Sequence, residues 1–197
     1  MLPKTARLLL LSAILAASNA KAAPTRASGP GTCQGGRITN LGEAAAFAGC
    51  RAVTGNLIIE RSELSDLSAL SELRSVSGEL AIRDNPMLRD LDGLERLERA
   101  GSLTLHANGL YRTVGLEGLR QVGTLSITKN PLLISLRGFN HLRRVDTLVV
   151  SNNPRICAQL GWFPALVRVE RSLTVHSNFG LSRHDVARLF TRTRGAS

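Results

Sequence analysis

A five-residue phrase recurs six times at nearly constant spacing, and nothing else in the chain constrains its fold as tightly. The first three copies are Gly55-Asn56-Leu57-Ile58-Ile59, Gly78-Glu79-Leu80-Ala81-Ile82 and Gly101-Ser102-Leu103-Thr104-Leu105. The others are Gly123-Thr124-Leu125-Ser126-Ile127, Asp146-Thr147-Leu148-Val149-Val150 and Arg171-Ser172-Leu173-Thr174-Val175. The central leucines fall at 57, 80, 103, 125, 148 and 173, in steps of 23, 23, 22, 23 and 25. Alternation within each copy is that of a short strand with one face turned inward. One copy cannot bury its own apolar side, so the copies must stack into a continuous core and a parallel sheet.

Each copy continues in the same way. Five residues beyond the central leucine stands Asn85, Asn108, Asn130, Asn153 or Asn178, with Ser62 in the first copy. An amide there can stack on its neighbours and satisfy turn amides, so these residues predict a structural ladder. Pro86, Pro131 and Pro154 follow three of them and fix the turn out of the strand. Apolar residues then recur about every third position, as in Leu64, Leu67, Leu70 and Leu73. Leu88, Leu91, Leu94 and Leu97 repeat the pattern, as do Leu133, Leu136, Phe139 and Leu142. This period suits the back wall of a solenoid. Aromatic residues make up only 4% of the chain, so the core must be built from thin layers of Leu, Val and Ile. The expected fold is a β-rich, right-handed parallel solenoid of about six rungs, leucine-rich-repeat-like, spanning residues 33–180.

The two ends of such a stack need caps. The segment from Cys33 to Cys50 is the N-terminal candidate, with a short helix near Glu43 to Phe47. Residues 181–197 predict a C-terminal helix and a basic tail. Ser182 and Asp185 form a capping-box pattern, with Asp in place of the usual Glu. Val186, Leu189 and Phe190 give the helix an apolar stripe.

Residues 1–20 read as an export signal: Lys4 and Arg7, a short apolar run from Leu8 to Ala17, then small residues allowing cleavage at 20–22. The run is too short for a hydrocarbon layer of about 30 Å, and no later run is longer, so no membrane span is expected. Residues 21–32 read as a flexible linker. The predicted location is therefore secreted or extracellular, or periplasmic or on the cell surface in a Gram-negative bacterium. Net charge is +10, or about +8 once Lys4 and Arg7 leave. Such a surface favours anionic partners or simply keeps the chain soluble. Cys33 and Cys50 both precede the repeats and form the natural disulfide pair. Cys157 is left over, as a small apolar residue or a free thiol.

Cys33-Gln34-Gly35-Gly36, followed by Gly49-Cys50-Arg51-Ala52-Val53-Thr54-Gly55, resembles the opening of a receptor L domain. Asp84-Asn85-Pro86, Lys129-Asn130-Pro131 and Asn152-Asn153-Pro154-Arg155-Ile156-Cys157 extend the resemblance, which covers roughly Cys33 to Phe179. It implies that Cys33 pairs with Cys50 and that the second cysteine leads straight into the first strand. It also implies a flat sheet face that binds a protein or peptide. In many relatives a cysteine at the position of Cys157 pairs with one downstream, and this chain has none. It also has no kinase, span or second L domain, so receptor signalling does not carry over.

Strand alternation predicts three outward columns on the sheet. The first is Asn56, Glu79, Ser102, Thr124, Thr147 and Ser172; the second is Ile58, Ala81, Thr104, Ser126, Val149 and Thr174. The third is Glu60, Arg83, His106, Thr128, Ser151 and His176. Small polar side chains lose little entropy on binding, so this face can take a broad partner, although they also simply suit a pleated surface. The ligand-face candidates are Glu60, Arg83, Thr104, His106, Ser126, Thr128, Val149, Ser151, Thr174 and His176. Arg83 is the one anchor-type residue among them, with Glu60 beside it as an alternative partner. His106 and His176 sit three rungs apart, roughly 14 Å, too far to share an ion. Polysaccharide lyases also use β-helices, but they need clustered carboxylates, and the face offers only Glu60 and Glu79 in different columns. No catalytic residue, metal or cofactor is therefore expected. The expected partner is an extracellular protein or peptide. Attachment to an anionic glycan or envelope surface is the alternative, through basic residues such as Arg183, Arg188, Arg192 and Arg194. A structural role in a surface layer is a further one, and no specific nucleic acid is expected.

Overall fold

The computed structural model describes residues 31–157 and 162–194, apart from the side chain of Arg194. The expected signal peptide, all of the expected linker but its last two residues, and positions 195–197 of the basic tail lie outside the described residues. Seven strands form one parallel sheet in chain order. They are β1 (Thr32–Ile38), β2 (Ala52–Glu60), β3 (Ser75–Arg83), β4 (Arg99–His106), β5 (Gln121–Thr128), β6 (Arg144–Ser151) and β7 (Arg168–His176). Two helices flank the stack, α1 (Leu41–Ala45) and α2 (Arg183–Arg194). The molecule is thus a parallel β-solenoid of about six turns with a disulfide near its N-terminus and a helix at its C-terminus.

Strands β2 to β7 are the six predicted copies. Their central leucines pair in register, Leu57 with Leu80, then Leu103, Leu125, Leu148 and Leu173. Each strand turns a corner before that leucine. An earlier inward residue (Val53, Val76, Ala100, Val122 or Val145) is also buried. It lies four positions upstream of the leucine in β2 and β3 but three upstream in β4, β5 and β6. The β3–β4 ladder accordingly shifts register between Val76 and Glu79.

The back wall follows the predicted three-residue period, and Leu67, Leu70, Leu73, Leu88, Leu91, Leu94 and Leu97 are all buried. Burying each such side chain contributes roughly 1.5–3 kcal/mol. One turn breaks the pattern: Leu110, Leu116 and Leu119 share their wall with Thr113, which is fully buried. Its Oγ1 accepts from the Gly138 amide at 3.2 Å, so the hydroxyl is not left unsatisfied. Stacking here is backbone on backbone. Gly115 has φ +100°, and a Cβ on it would lie 2.1 Å from the Leu91 carbonyl oxygen.

The asparagine ladder forms as expected. Asn130 Oδ1 accepts from the Asn108 amide at 3.0 Å, and its Nδ2 donates to the Leu105 carbonyl at 3.0 Å. Asn85, Asn108, Asn153 and Asn178 repeat that arrangement, and Ser62 begins the ladder by donating to Asn85 Oδ1 at 2.7 Å. One regularity is invisible in the residue types. The residue just before each ladder position is left-handed: Arg61, Asp84, Ala107, Lys129, Asn152 and Ser177 all have φ between 49° and 57°. That conformation swings the chain out of the sheet and turns the next side chain into the core.

Both caps have clear local causes. Asn40 caps α1 by accepting from the Glu43 amide at 3.0 Å, while Glu43 accepts from the Thr39 amide at 2.7 Å. This reciprocal pair starts the helix two residues before the expected Glu43. The cap also adds β1, which the repeat did not predict. Gly36 occupies the inward position opposite Leu57, and the Phe47 ring fills the space. At the other end Ser182 and Asp185 bond reciprocally, Ser182 N to Asp185 Oδ2 at 2.9 Å and Asp185 N to Ser182 Oγ at 3.1 Å. Leu189 is buried, and Val186 and Phe190 are partly so. Arg192 is exposed, as expected of a solvated face, but it is also engaged. It donates to the Phe163 carbonyl at 2.6 Å, and burial pushes its guanidinium below the ordinary arginine value.

Candidate ligand-binding face

The register builds the predicted face residue by residue. The middle column runs Ile58, Ala81, Thr104, Ser126, Val149 and Thr174, and the third runs Glu60, Arg83, His106, Thr128, Ser151 and His176. Because β1 joins the sheet, Arg37 extends the middle column beside Ile58. Sequence reasoning missed Arg37. With Gly36 in the inward position, β1 lacks the apolar alternation that marks a strand.

The two ends of the face differ. At the N-terminal end charges are locked together. Glu60 is 5% exposed and accepts from Arg83 Nε at 2.6 Å and from an Arg37 guanidinium nitrogen at 2.5 Å. The Arg83 hydrogen bond holds its carboxyl below the ordinary glutamate value. Burial opposes the shift, and the charges of Arg37, Arg83 and Arg61 reinforce it. Arg83 is therefore committed to Glu60. In the first two columns Thr104 Oγ1 donates to Glu79 Oε1 at 2.6 Å.

From β4 to β7 the face becomes neutral. Thr104, Ser126, Thr128, Val149 and Thr174 are half-buried and short, and Ser151 is buried between its neighbours. His106 Nδ1 lies 2.8 Å from Thr128 Oγ1, which fixes the ring along the third column. His176 is exposed at the far edge, with Nδ1 3.2 Å from Ser177 Oγ. The pairing places His106 and His176 on β4 and β7, three rungs apart as the alternation indicated. Cys33 and Cys50 form a disulfide with Cα atoms 5.9 Å apart. Cys157 is a free, partly exposed thiol on the back wall, where its amide donates to the Ile134 carbonyl at 3.0 Å.

A stack of short parallel strands presents one open, extended face, and such concave or flat solenoid faces are the surfaces repeat proteins use for binding. The family model described as receptor L domain matches residues 49–163, and the chain belongs to the receptor L domain family. A search of curated proteins gives no match. The family supplies ligand-binding, non-enzymatic modules of extracellular receptor ectodomains. Among the described residues no helix is long and apolar enough to cross a membrane.

Proposed function

We propose that this chain is an exported, non-enzymatic module that captures an extracellular protein or peptide on the β4 to β7 part of its sheet. The observation that carries the reading is the neutral platform of Thr104, Ser126, Thr128, Val149 and Thr174, in register across adjacent strands. These side chains are already partly ordered by their neighbours, so docking freezes few rotamers. Each also exposes a methyl group or a hydroxyl, which suits a polypeptide surface with mixed apolar and hydrogen-bonding groups. His106 and His176 flank the platform and supply ring faces and polar edges. The locked Glu60, Arg83 and Arg37 cluster bounds it at one end. Export is supported by the N-terminal pattern of Lys4, Arg7 and the apolar run, and by a disulfide, which persists in oxidising compartments.

The test is a binding screen against extracellular proteins and peptides at low and high salt. It runs beside a variant carrying Thr104→Arg, Ser126→Arg and Thr128→Arg. A salt-resistant partner that binds the parent protein and not the variant is the expected result. Partners that bind both equally well would place the ligand site elsewhere.

A further inference from the structure

The chain enters each sheet strand past a corner, and that corner is lined with arginine. The residues immediately before β3 to β7 are Arg74, Glu98, Arg120, Arg143 and Val167. The Arg74 amide reaches back to the Arg51 carbonyl at 2.8 Å, so Arg51 begins the same column. The first residues of those strands form a second column, Ser75, Arg99, Gln121, Arg144 and Arg168, paired in register. The inward neighbours Ala100, Val122 and Val145 are buried, so alternation turns Arg99, Gln121 and Arg144 outward.

Two cations of the strip, Arg74 and Arg168, are neutralised. Arg74 meets Glu98 at 3.3 Å, and Arg168 meets Glu170 at 3.1 Å. Between them Arg99, Arg120, Arg143 and Arg144 are all exposed, and none is within ion-pair distance of a carboxylate among the described residues. Four guanidinium groups thus stand within three successive rungs spaced about 4.8 Å apart. Like charges on neighbouring strands repel, and a fold selected only for solubility would intersperse acids. The chain does so elsewhere, as in Arg96 with Glu72 at 2.7 Å and Arg83 with Glu60 at 2.6 Å. Acids do stand at the margins of the strip: Glu95 and Glu98 line one hollow with Arg74 and Arg120, and Asp146 lies beside Gly123. Next to the strip stand Gly101, which is exposed, and Gly123, which is half-buried. Close stacking explains those glycines in part, since a Cβ on Gly123 would lie 2.8 Å from the Gly101 carbonyl oxygen.

We infer that Arg99, Arg120, Arg143 and Arg144 form a docking strip for a linear acidic polysaccharide running along the solenoid axis. Guanidinium forks hold carboxylate or sulfate groups in paired hydrogen bonds, and the rung repeat presents them at regular intervals to a regularly charged chain. Gln121 adds neutral donors and an acceptor for hydroxyl groups. The strip carries no aromatic side chain, which argues against single-stranded nucleic acid, whose bases are held by stacking on such rings. Its column carries exposed Val167 at the β7 end, whereas a membrane-surface site inserts several large apolar side chains. The site precedes the neutral platform along the strands, with Arg99 and Arg144 five residues before Thr104 and Val149.

The experiment measures affinity of the purified protein for heparin, polygalacturonate, single-stranded DNA and vesicles of phosphatidylcholine with phosphatidylserine. The strip variant carries Arg99→Ser, Arg120→Ser, Arg143→Ser and Arg144→Ser. A control of equal net charge carries Arg89→Ser, Arg112→Ser, Arg137→Ser and Arg155→Ser, all exposed and outside the strip. The paired variants R99S/R144S and R120S/R143S repeat the test with less disturbance of the fold. The expected result is glycan binding at low salt that weakens roughly ten-fold or more in the strip variant and stays within about two-fold in the control. Equal loss in both variants would reduce the effect to net charge and overturn the site. Stronger strip-dependent binding of DNA or vesicles than of either glycan would overturn the assignment of the ligand.

Discussion

Asn130 shows how single residues hold the stack together. It is fully buried, accepts from the Asn108 amide, and donates to the carbonyls of Leu105 and Thr128. Asn130→Ala strands an amide and a carbonyl away from water, at about 1–3 kcal/mol for each unsatisfied group. The expected loss in urea unfolding is therefore about 2–6 kcal/mol, and Asn178→Ala, at the end of the ladder, should lose less because Asn178 is nearer solvent. The left-handed residues make a second case. Ala107 has φ 53°, a conformation that costs an ordinary residue about 1–2 kcal/mol and a β-branched one more. Ala107→Val should lower the unfolding midpoint clearly, whereas Ala107→Gly should leave it within about 1 kcal/mol of the parent. The ladder was legible in the sequence because one residue type fills one position. The left-handed position was not, since Arg61, Asp84, Ala107, Lys129, Asn152 and Ser177 share only a conformation.

At the scale of elements, close stacking of turns sets what each turn tolerates. Gly115 combines φ +100° with a carbonyl oxygen 2.1 Å from where a Cβ would sit. Gly115→Ala must push two turns apart, and a loss of about 3 kcal/mol or more, or failure to fold, is expected in the same unfolding assay. The charged end of the sheet gives a pH signature. Glu60 is held below its ordinary value in the folded chain, so its stabilising effect is complete above the unfolded glutamate value. The effect fades as pH falls through the lowered folded value. Glu60→Gln should therefore shrink the difference in urea midpoint between pH 7 and pH 3, and an unchanged difference would show that Glu60 contributes nothing to acid sensitivity. Strands β2 to β7 were legible because leucine alternation marks them. Strand β1 was hidden because its inward contact comes from Phe47, outside the strand. For the same reason Arg37, and so the second cation on Glu60, could not be foreseen.

The whole molecule is a rigid stack with unlike surfaces. Its sheet carries a locked charged end and a neutral platform, and the starts of its strands carry four exposed arginines without an ion pair among the described residues. The register of the second and third columns could be read from the repeat, because parallel stacking aligns equivalent positions, but their exposure could not: Glu60, Ala81 and Ser151 are buried. Which of those residues were already engaged could not be read, since Arg83 with Glu60 and Thr104 with Glu79 depend on side-chain reach across rungs. Site-directed photo-crosslinking reports whether a bound partner lies on the platform. A benzophenone side chain is placed at Ser126, in the middle of the platform, and separately at Asn140, an exposed position on the opposite wall. Each protein is then irradiated with a partner that binds in high salt. A covalent product is expected from position 126 and none from position 140. A product from position 140 alone would show that the ligand sits on the back wall and would contradict the assignment of the sheet face.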